Sequence, residues 1–382
     1  MRVWKPLMGA VVSFRKRYCG FILLILLFFF FVILHYNVVY NQMQSSYFTN
    51  DGTVITVPGW ELNKSRNASD YIFPDDITTI ISSRSICSSK YPPRILLIIC
   101  SGTENFLSRS AIRKTWAQSA YEKFNISVVF LMGVSLDEEI NERIKHEGEV
   151  HNDVIVEDFI DTYNNLTVKT LMLLKWVKNN CNNTSYIMKT DDDVYINMNN
   201  LIQLIDSLPE HKTRNVLLGK LLCGSAPISN PNNKWYMPSY MYPYKVYPYY
   251  LSGVGYLMSL QVALRLYEEA FSIPIIHMED VYITGLCARR AGIRPARQFM
   301  FQYHELTNVV CSMEDDYLIV HSHQVSYDDM YHIHNKLVAC KTPENRTSVF
   351  NWFFLRTFSG SRRKINPKFD VHSSESYSYT CK

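Results

Sequence analysis

Hydrophobic patterning divides the chain sharply. Fourteen strongly apolar residues stand in an unbroken row at 21–34 (FILLILLFFFFVIL), and widening the stretch to 18–40 adds no Asp, Glu, Lys or Arg. About 20 such residues cross a hydrocarbon core of ~30 Å, and Tyr18, Tyr36 and Tyr40 fall where interfacial aromatics sit. Residues 41–90 are polar and rich in Ser and Asn, as a stem would be. Tyr91-Pro92-Pro93 punctuates the boundary. Short continuous apolar runs then follow at 95–100 (ILLIIC), 126–132 (ISVVFLM), 154–156 (VIV) and 186–189 (YIMK), with the length and content of buried strands. Segments 108–121 and 162–178 read as helices, the second amphipathic. Strands alternating with helices predict an α/β domain with a largely parallel sheet. Residues 251–256 (LSGVGY), after the Tyr/Pro-rich run 235–250, read as a loop whose two glycines let backbone approach a ligand closely. The stretch 277–293 (HMEDVYITGLCARRAGI) has helical periodicity. The expected organisation is a cytosolic tail (1–17), a transmembrane anchor (18–40), a stem (41–90), a catalytic domain (91–358) and a peripheral tail (359–382).

Charge placement orients this arrangement. Arg2, Lys5, Arg15, Lys16 and Arg17 precede the apolar row without an acid among them, and the next charge after it is Asp51. The positive-inside rule keeps the N-terminus in the cytosol and sends the rest across. His35, Tyr36 and Asn37 stand where a signal peptidase would need small residues, so the segment reads as an uncleaved signal anchor. Taking the five leading cations from the 39 basic residues leaves 34 against 35 acids, so the body is not basic and nucleic acid is excluded as a partner. Seven Asn-x-Ser/Thr sequons, at Asn63, Asn67, Asn125, Asn165, Asn182, Asn183 and Asn345, lie beyond the anchor, as do eight of nine cysteines. Both suit a secretory lumen. Eight cysteines allow 105 pairings and the sequence does not choose among them; Cys100, in an apolar run, also reads as a buried thiol.

The most informative chemistry is Lys189-Thr190-Asp191-Asp192-Asp193, three adjacent acids directly after an apolar strand. Like charges so close are tolerated in water or around a cation, and ligands bind at the carboxyl ends of strands in α/β sheets. Alternation along a strand would turn Asp191 and Asp193 toward one ion, and carboxylate oxygens suit Mg²⁺ or Mn²⁺. A solvated acidic turn is the plain alternative. Glu279-Asp280 opens the periodic stretch, either as an ordinary acidic pair in a first helical turn or as a general base. His321 and His323 follow an apolar run and are candidate metal ligands or surface histidines. Neither a GxGxxG nor a GxxxxGK[ST] fingerprint is present.

Arg109-Ser-Ala-Ile-Arg113-Lys-Thr-Trp116, Val129-Phe-Leu-Met-Gly133, Asp158 to Thr170, Lys189 to Val194, Tyr247 to Tyr256 and Glu279-Asp280-Val281-Tyr282 occur in this order. In that order, behind a signal anchor, they resemble the β1,3-glycosyltransferase family (glycosyltransferase family 31), which includes β1,3-galactosyltransferases, β1,3-N-acetylglucosaminyltransferases and Fringe proteins. The resemblance covers about 94–337. It implies a GT-A fold and a type II Golgi membrane enzyme that transfers a hexose from a UDP-sugar to the 3-hydroxyl of an acceptor glycan, with inversion. By position it implies Mn²⁺ or Mg²⁺ at Asp193, with Asp191 and His323 as further ligands. It also implies Asp191, Asp192, Arg109 and Arg113 on the donor and Asp280, beside Glu279, as the base. One departure is Ile283-Thr284-Gly285, one residue longer than in many members. Galactose is the expected donor sugar, with N-acetylglucosamine as the alternative and an inactive lumenal glycan-binding protein as the more distant one. A glycosidase would need two carboxyls flanking a cleft and no metal.

Overall fold

Ile95–Cys100 is apolar at every position because both of its faces are buried, as the central strand of a sheet covered by helices requires. It is β2 of an eight-stranded sheet in a computed structural model that describes residues 27–31, 55–82, 84–87, 92–118, 120–301, 319–321 and 325–340. The other strands are β1 (Thr79–Ile81), β3 (Ile126–Val134), β4 (Val154–Ile160), β5 (Tyr186–Asp191), β7 (Leu217–Leu222), β8 (Tyr250–Ser259) and β9 (Ala296–Arg297). Their order is β1-β4-β3-β2-β5-β8-β7-β9. β6 (Tyr195–Ile196) pairs separately with β10 (Ile319–His321).

The sheet is mixed, not largely parallel. β4, β3, β2 and β5 run parallel, joined through helices α1 (Phe106–Lys114), α2 (Glu138–His151) and α3 (Leu166–Asn180). Parallel neighbours need such crossovers. Beyond β5 the regular alternation stops, and β8 lies antiparallel between β5 and β7. The glycine-containing segment 251–256 is thus the middle of a buried strand instead of a loop. The α3 helix is buried along most of its length and packs against β2, β3 and β4.

The expected stem also differs. Trp60 and Ile72 are fully buried, and β1, from the same segment, extends the sheet antiparallel to β4. The buried Lys175 ammonium donates to the carbonyls of Ile72 and Phe73, which end the short helix Ser69–Ile72, and to Thr78 Oγ1. A cation on terminal helix carbonyls satisfies orphan acceptors. Two units are distinguished: Pro58–Pro227 with Tyr240–Lys382, and Met1–Val57 with Ile228–Ser239. In the second, Met237 N–H donates to Ile228 O and Tyr236 OH to Ile55 O. The expected anchor lies outside the described residues except for 27–31, which are helical. Among the described residues no helix is long and apolar enough to cross a membrane. The expected tail 359–382 lies outside them as well.

A disulfide joins Cys87 to Cys181, 94 residues apart in sequence, and Cys223 is also disulfide-bonded. Cys100 and Cys287 are buried free thiols. Closing so long a loop restricts the unfolded chain, so Cys87→Ser is expected to cost about 2–4 kcal/mol. A fall in Tm of several degrees for the full-length variant, absent when both proteins are reduced, checks this; an unchanged Tm refutes it.

Candidate active site

Asp191 ends β5 opposite Cys100, the last residue of β2. From β2 the sheet grows one way through β3 and β4 and the other way through β5. The crevice beyond the carboxyl ends of β2 and β5 is therefore a topological switch point, where open α/β sheets bind ligands.

The three aspartates do different things there. Asp192 is buried, and its Oδ2 accepts hydrogen bonds from Ser101 Oγ (2.6 Å), Gly102 N–H (3.1 Å) and Asn105 Nδ2 (2.9 Å). It fixes the loop after β2. Asp191 is pushed up to about 6, by burial first and then by the charge of Asp193, against the opposing pull of Lys189. Asp191 and Asp193 are thus close enough to repel one another. The third metal ligand expected, His323, lies outside the described residues. His321 is placed only by its strand, opposite Tyr195. Among the described residues no three His, Cys, Asp or Glu groups converge to enclose a cation.

The second carboxylate pair faces β8. Asp280 immediately precedes a π-helical run, Val281–Cys287, and its Oδ1 accepts the Val281 N–H (2.8 Å). Its Oδ2 accepts the Gly253 N–H (3.2 Å). Burial, reinforced by the charge of Glu279, pushes the Asp280 carboxyl up to about 7 despite those two donors. Position 253 lies against this pair: a Cβ there would stand 3.4 Å from Asp280 Cβ and 3.5 Å from Glu279 Oε2, ordinary van der Waals contact. Thr284 Oγ1 accepts the Leu251 N–H (2.8 Å) and donates to Asp280 O (2.6 Å), locking the wide turn to β8. Wide turns of this kind recur at functional sites.

Lys189 joins the two halves. Its buried Nζ donates to Asp191 Oδ1 and to Gly253 O, both at 2.7 Å, and lies 3.6 Å from Glu279 Oε2. Burial alone would discharge it, but Asp191 and Glu279 hold it well above the usual lysine range. Tyr256 OH donates to Glu279 Oε1 (2.6 Å). Glu279 is therefore held from both oxygens as a buried support, whereas Asp280, among the described residues, accepts from the backbone N–H groups of Val281 and Gly253.

Arg109 and Arg113, expected to help form the nucleotide pocket, are both held by acids. Arg109, fully buried, forms a bidentate pair with Glu147 and donates to Ser101 Oγ (3.0 Å) and Gly102 O (2.7 Å). Arg113 bridges Glu147 and Asp153. Lys169, paired with Asp161, donates to Ser101 O (2.9 Å). Arg109 and Lys169 thus clamp the loop that Asp192 completes. Lys189, Tyr256, Ser101 and Lys169 were not singled out from sequence. Lys189 alone carried a signal, its place two residues before the acids on the same strand face.

The two carboxylate pairs, Lys189 and the 101–105 loop thus meet beside the carboxyl ends of β2 and β5. Comparisons with known proteins give the class of enzyme. A family model described as Galactosyltransferase matches residues 107–299. Beta-1,3-galactosyltransferase 1 of Homo sapiens is 35% identical over 271 residues, covering 71% of this chain and 81% of the relative. Beta-1,3-galactosyltransferase 5 of Mus musculus is 38% identical over 210 residues, covering 55% of this chain and 67% of its own. Lactosylceramide 1,3-N-acetyl-beta-D-glucosaminyltransferase A of Danio rerio is 32% identical over 254 residues, covering 64% and 66%. The chain belongs to the Galactosyltransferase family and is a glycosyltransferase.

Proposed function

We propose that this chain transfers a hexose, galactose first, from a UDP-sugar to the 3-hydroxyl of an acceptor glycan, inverting the anomeric centre to give a β1,3 linkage. The reading is carried by the half-buried Asp280 carboxyl, which is held by the Val281 and Gly253 N–H groups and pushed up to about 7, where a general base is most effective near neutral pH. The two relatives named as galactosyltransferases support the donor; the zebrafish relative favours N-acetylglucosamine as the second reading. The mixed α/β sheet, with its switch point beside Asp191, supports reading the catalytic unit as a GT-A domain. Disulfide-bonded Cys87, Cys181 and Cys223 suit an oxidising lumen. With the 18–40 anchor they favour a single-pass type II protein of the Golgi membrane.

In this mechanism Asp280 accepts the proton of the acceptor hydroxyl as its oxygen attacks the anomeric carbon. The bond from that carbon to the UDP oxygen breaks, and UDP leaves with the electron pair. One base suffices because no covalent intermediate forms. Lys189 and Tyr256 hold Glu279 so that its charge keeps Asp280 basic. The loop 101–105, fixed by Asp192, Arg109 and Lys169, shapes the nucleotide side. Asp193 and Asp191 suit a divalent cation, Mn²⁺ or Mg²⁺: their oxygens are hard donors and their mutual repulsion is what a cation relieves. Such an ion supplies Lewis-acid stabilisation to a leaving diphosphate.

The test is UDP release by the full-length chain with Mn²⁺, comparing UDP-galactose with UDP-N-acetylglucosamine over β-GlcNAc, β-Gal and α-GalNAc acceptors. Acceptor-dependent release from one donor, lost with EDTA, is the expected result; no turnover with any pair contradicts it. Asp193→Ala is expected to weaken Mn²⁺-dependent UDP binding at least about tenfold, one lost metal ligand being worth roughly 1.4 kcal/mol or more. Unchanged Mn²⁺ dependence in that variant removes Asp193 from the metal site.

A further inference from the structure

The chain entering β8 carries a row of tyrosine rings that the transfer chemistry does not use. Centroids of Tyr250 and Tyr247 are 6.1 Å apart, those of Tyr247 and Tyr242 4.9 Å, and those of Tyr242 and Tyr244 5.3 Å. Three of these rings are buried, whereas Tyr244 is 69% exposed. It sits at the tip of a bend closed by Tyr242 OH donating to Val246 O (2.9 Å), so the exposed ring is held from behind. The inner end of the row is fixed to the base. A Cβ on Gly285 would stand 3.1 Å from Pro248 Cγ and 3.2 Å from Tyr250 Cβ, and Thr284 ties Leu251 to Asp280. Burial raises the phenols of Tyr247 and Tyr250, and the charge of Asp280 raises both further, so that carboxylate lies within electrostatic reach of both.

We propose that Tyr244 is a stacking platform for a sugar residue of the acceptor beyond the one attacked, so that the acceptor is an oligosaccharide of two or more hexoses. The inference rests on the transfer reading above and adds the acceptor class to it. Pyranose rings present an apolar C–H face, and an aromatic ring combines large contact area with an electron-rich face that attracts those C–H groups. A ring already ordered by Tyr242 loses little freedom on binding. Tyr247 and Tyr242 stand between Tyr244 and the ring beside Asp280, so the platform meets a residue displaced from the reacting hydroxyl. It has no part in donor binding or proton transfer.

The experiment compares full-length Tyr244→Ala, Tyr244→Phe and the unsubstituted chain on aryl β-glycosides carrying one, two or three hexoses. Tyr244→Ala is expected to raise KM for the longer acceptors about 3- to 10-fold, the range given by one aromatic contact. Its kcat, its KM for the one-hexose acceptor and its KM for UDP-sugar stay unchanged, and Tyr244→Phe restores the longer acceptors. Equal KM changes at every acceptor length, or none at any length, overturn the subsite while leaving the transfer reading intact. Failure of the unsubstituted chain to transfer to any acceptor overturns both.

Discussion

Asp280→Asn is expected to lower transfer about 10²–10⁴-fold, the usual worth of a positioned general base, while UDP–Mn²⁺ affinity changes little. The amide keeps the shape of the side chain and can still accept the Val281 N–H through its oxygen, but it cannot take a proton. The unsubstituted enzyme should show the matching pH dependence. Asp280 must be ionised to act, and its carboxyl is pushed up to about 7 by burial and by Glu279. Below that value the protonated, inactive form dominates, so kcat/KM should fall about tenfold per pH unit on the acid side and level off above it. Steady-state rates over pH 5–9, with UDP binding measured on the same preparations, check both statements. Equal loss of binding and turnover in the Asn variant would remove Asp280 from its role as base.

Lys189→Met is expected to destabilise the protein by about 3–5 kcal/mol, as removal of one member of a buried ion pair does. The buried ammonium neutralises two carboxylates at once, the partly exposed Asp191 at 2.7 Å and the buried Glu279 at 3.6 Å. Met fills a similar volume but leaves both acids without their cation and leaves Gly253 O without its donor. Adding Glu279→Gln to Lys189→Met should recover part of the loss, because one of the two stranded charges disappears; the pair should then be non-additive. Chemical denaturation of the single and double variants measures this. A loss below about 1 kcal/mol, the scale of an exposed ion pair, would mean that the cluster is not held together by this lysine.

These effects show where sequence reasoning reached and where it stopped. Runs such as 95–100 and 126–132 were legible as strands because strands buried on both faces are continuously apolar. The acids at 191–193 were legible as a candidate site because three like charges follow such a strand without a break. By contrast, 251–256 read as a loop because its glycines weaken the strand signal, yet it is held as a strand by β5 and β7 on either side. The stem reading failed similarly for 58–82: the buried places of Trp60 and Ile72 and the hydrogen bonds from Lys175 involve partners 100 or so residues away, and local composition carries no trace of them.

By itself, the sequence determined the apolar row and its flanking charge, the strand–helix alternation, and where acids cluster at 191–193 and 279–280, because each of these is a local property of residue type and period. Only the tertiary structure decided what those residues touch. It set Asp192 on the 101–105 loop, turned Arg109 and Arg113 toward Glu147 and Asp153, and brought Lys189 between Asp191 and Glu279. The reason is physical: a carboxyl's burial, its neighbours' charges and hence its affinity for a proton depend on distances across the sheet, and chain order does not encode them.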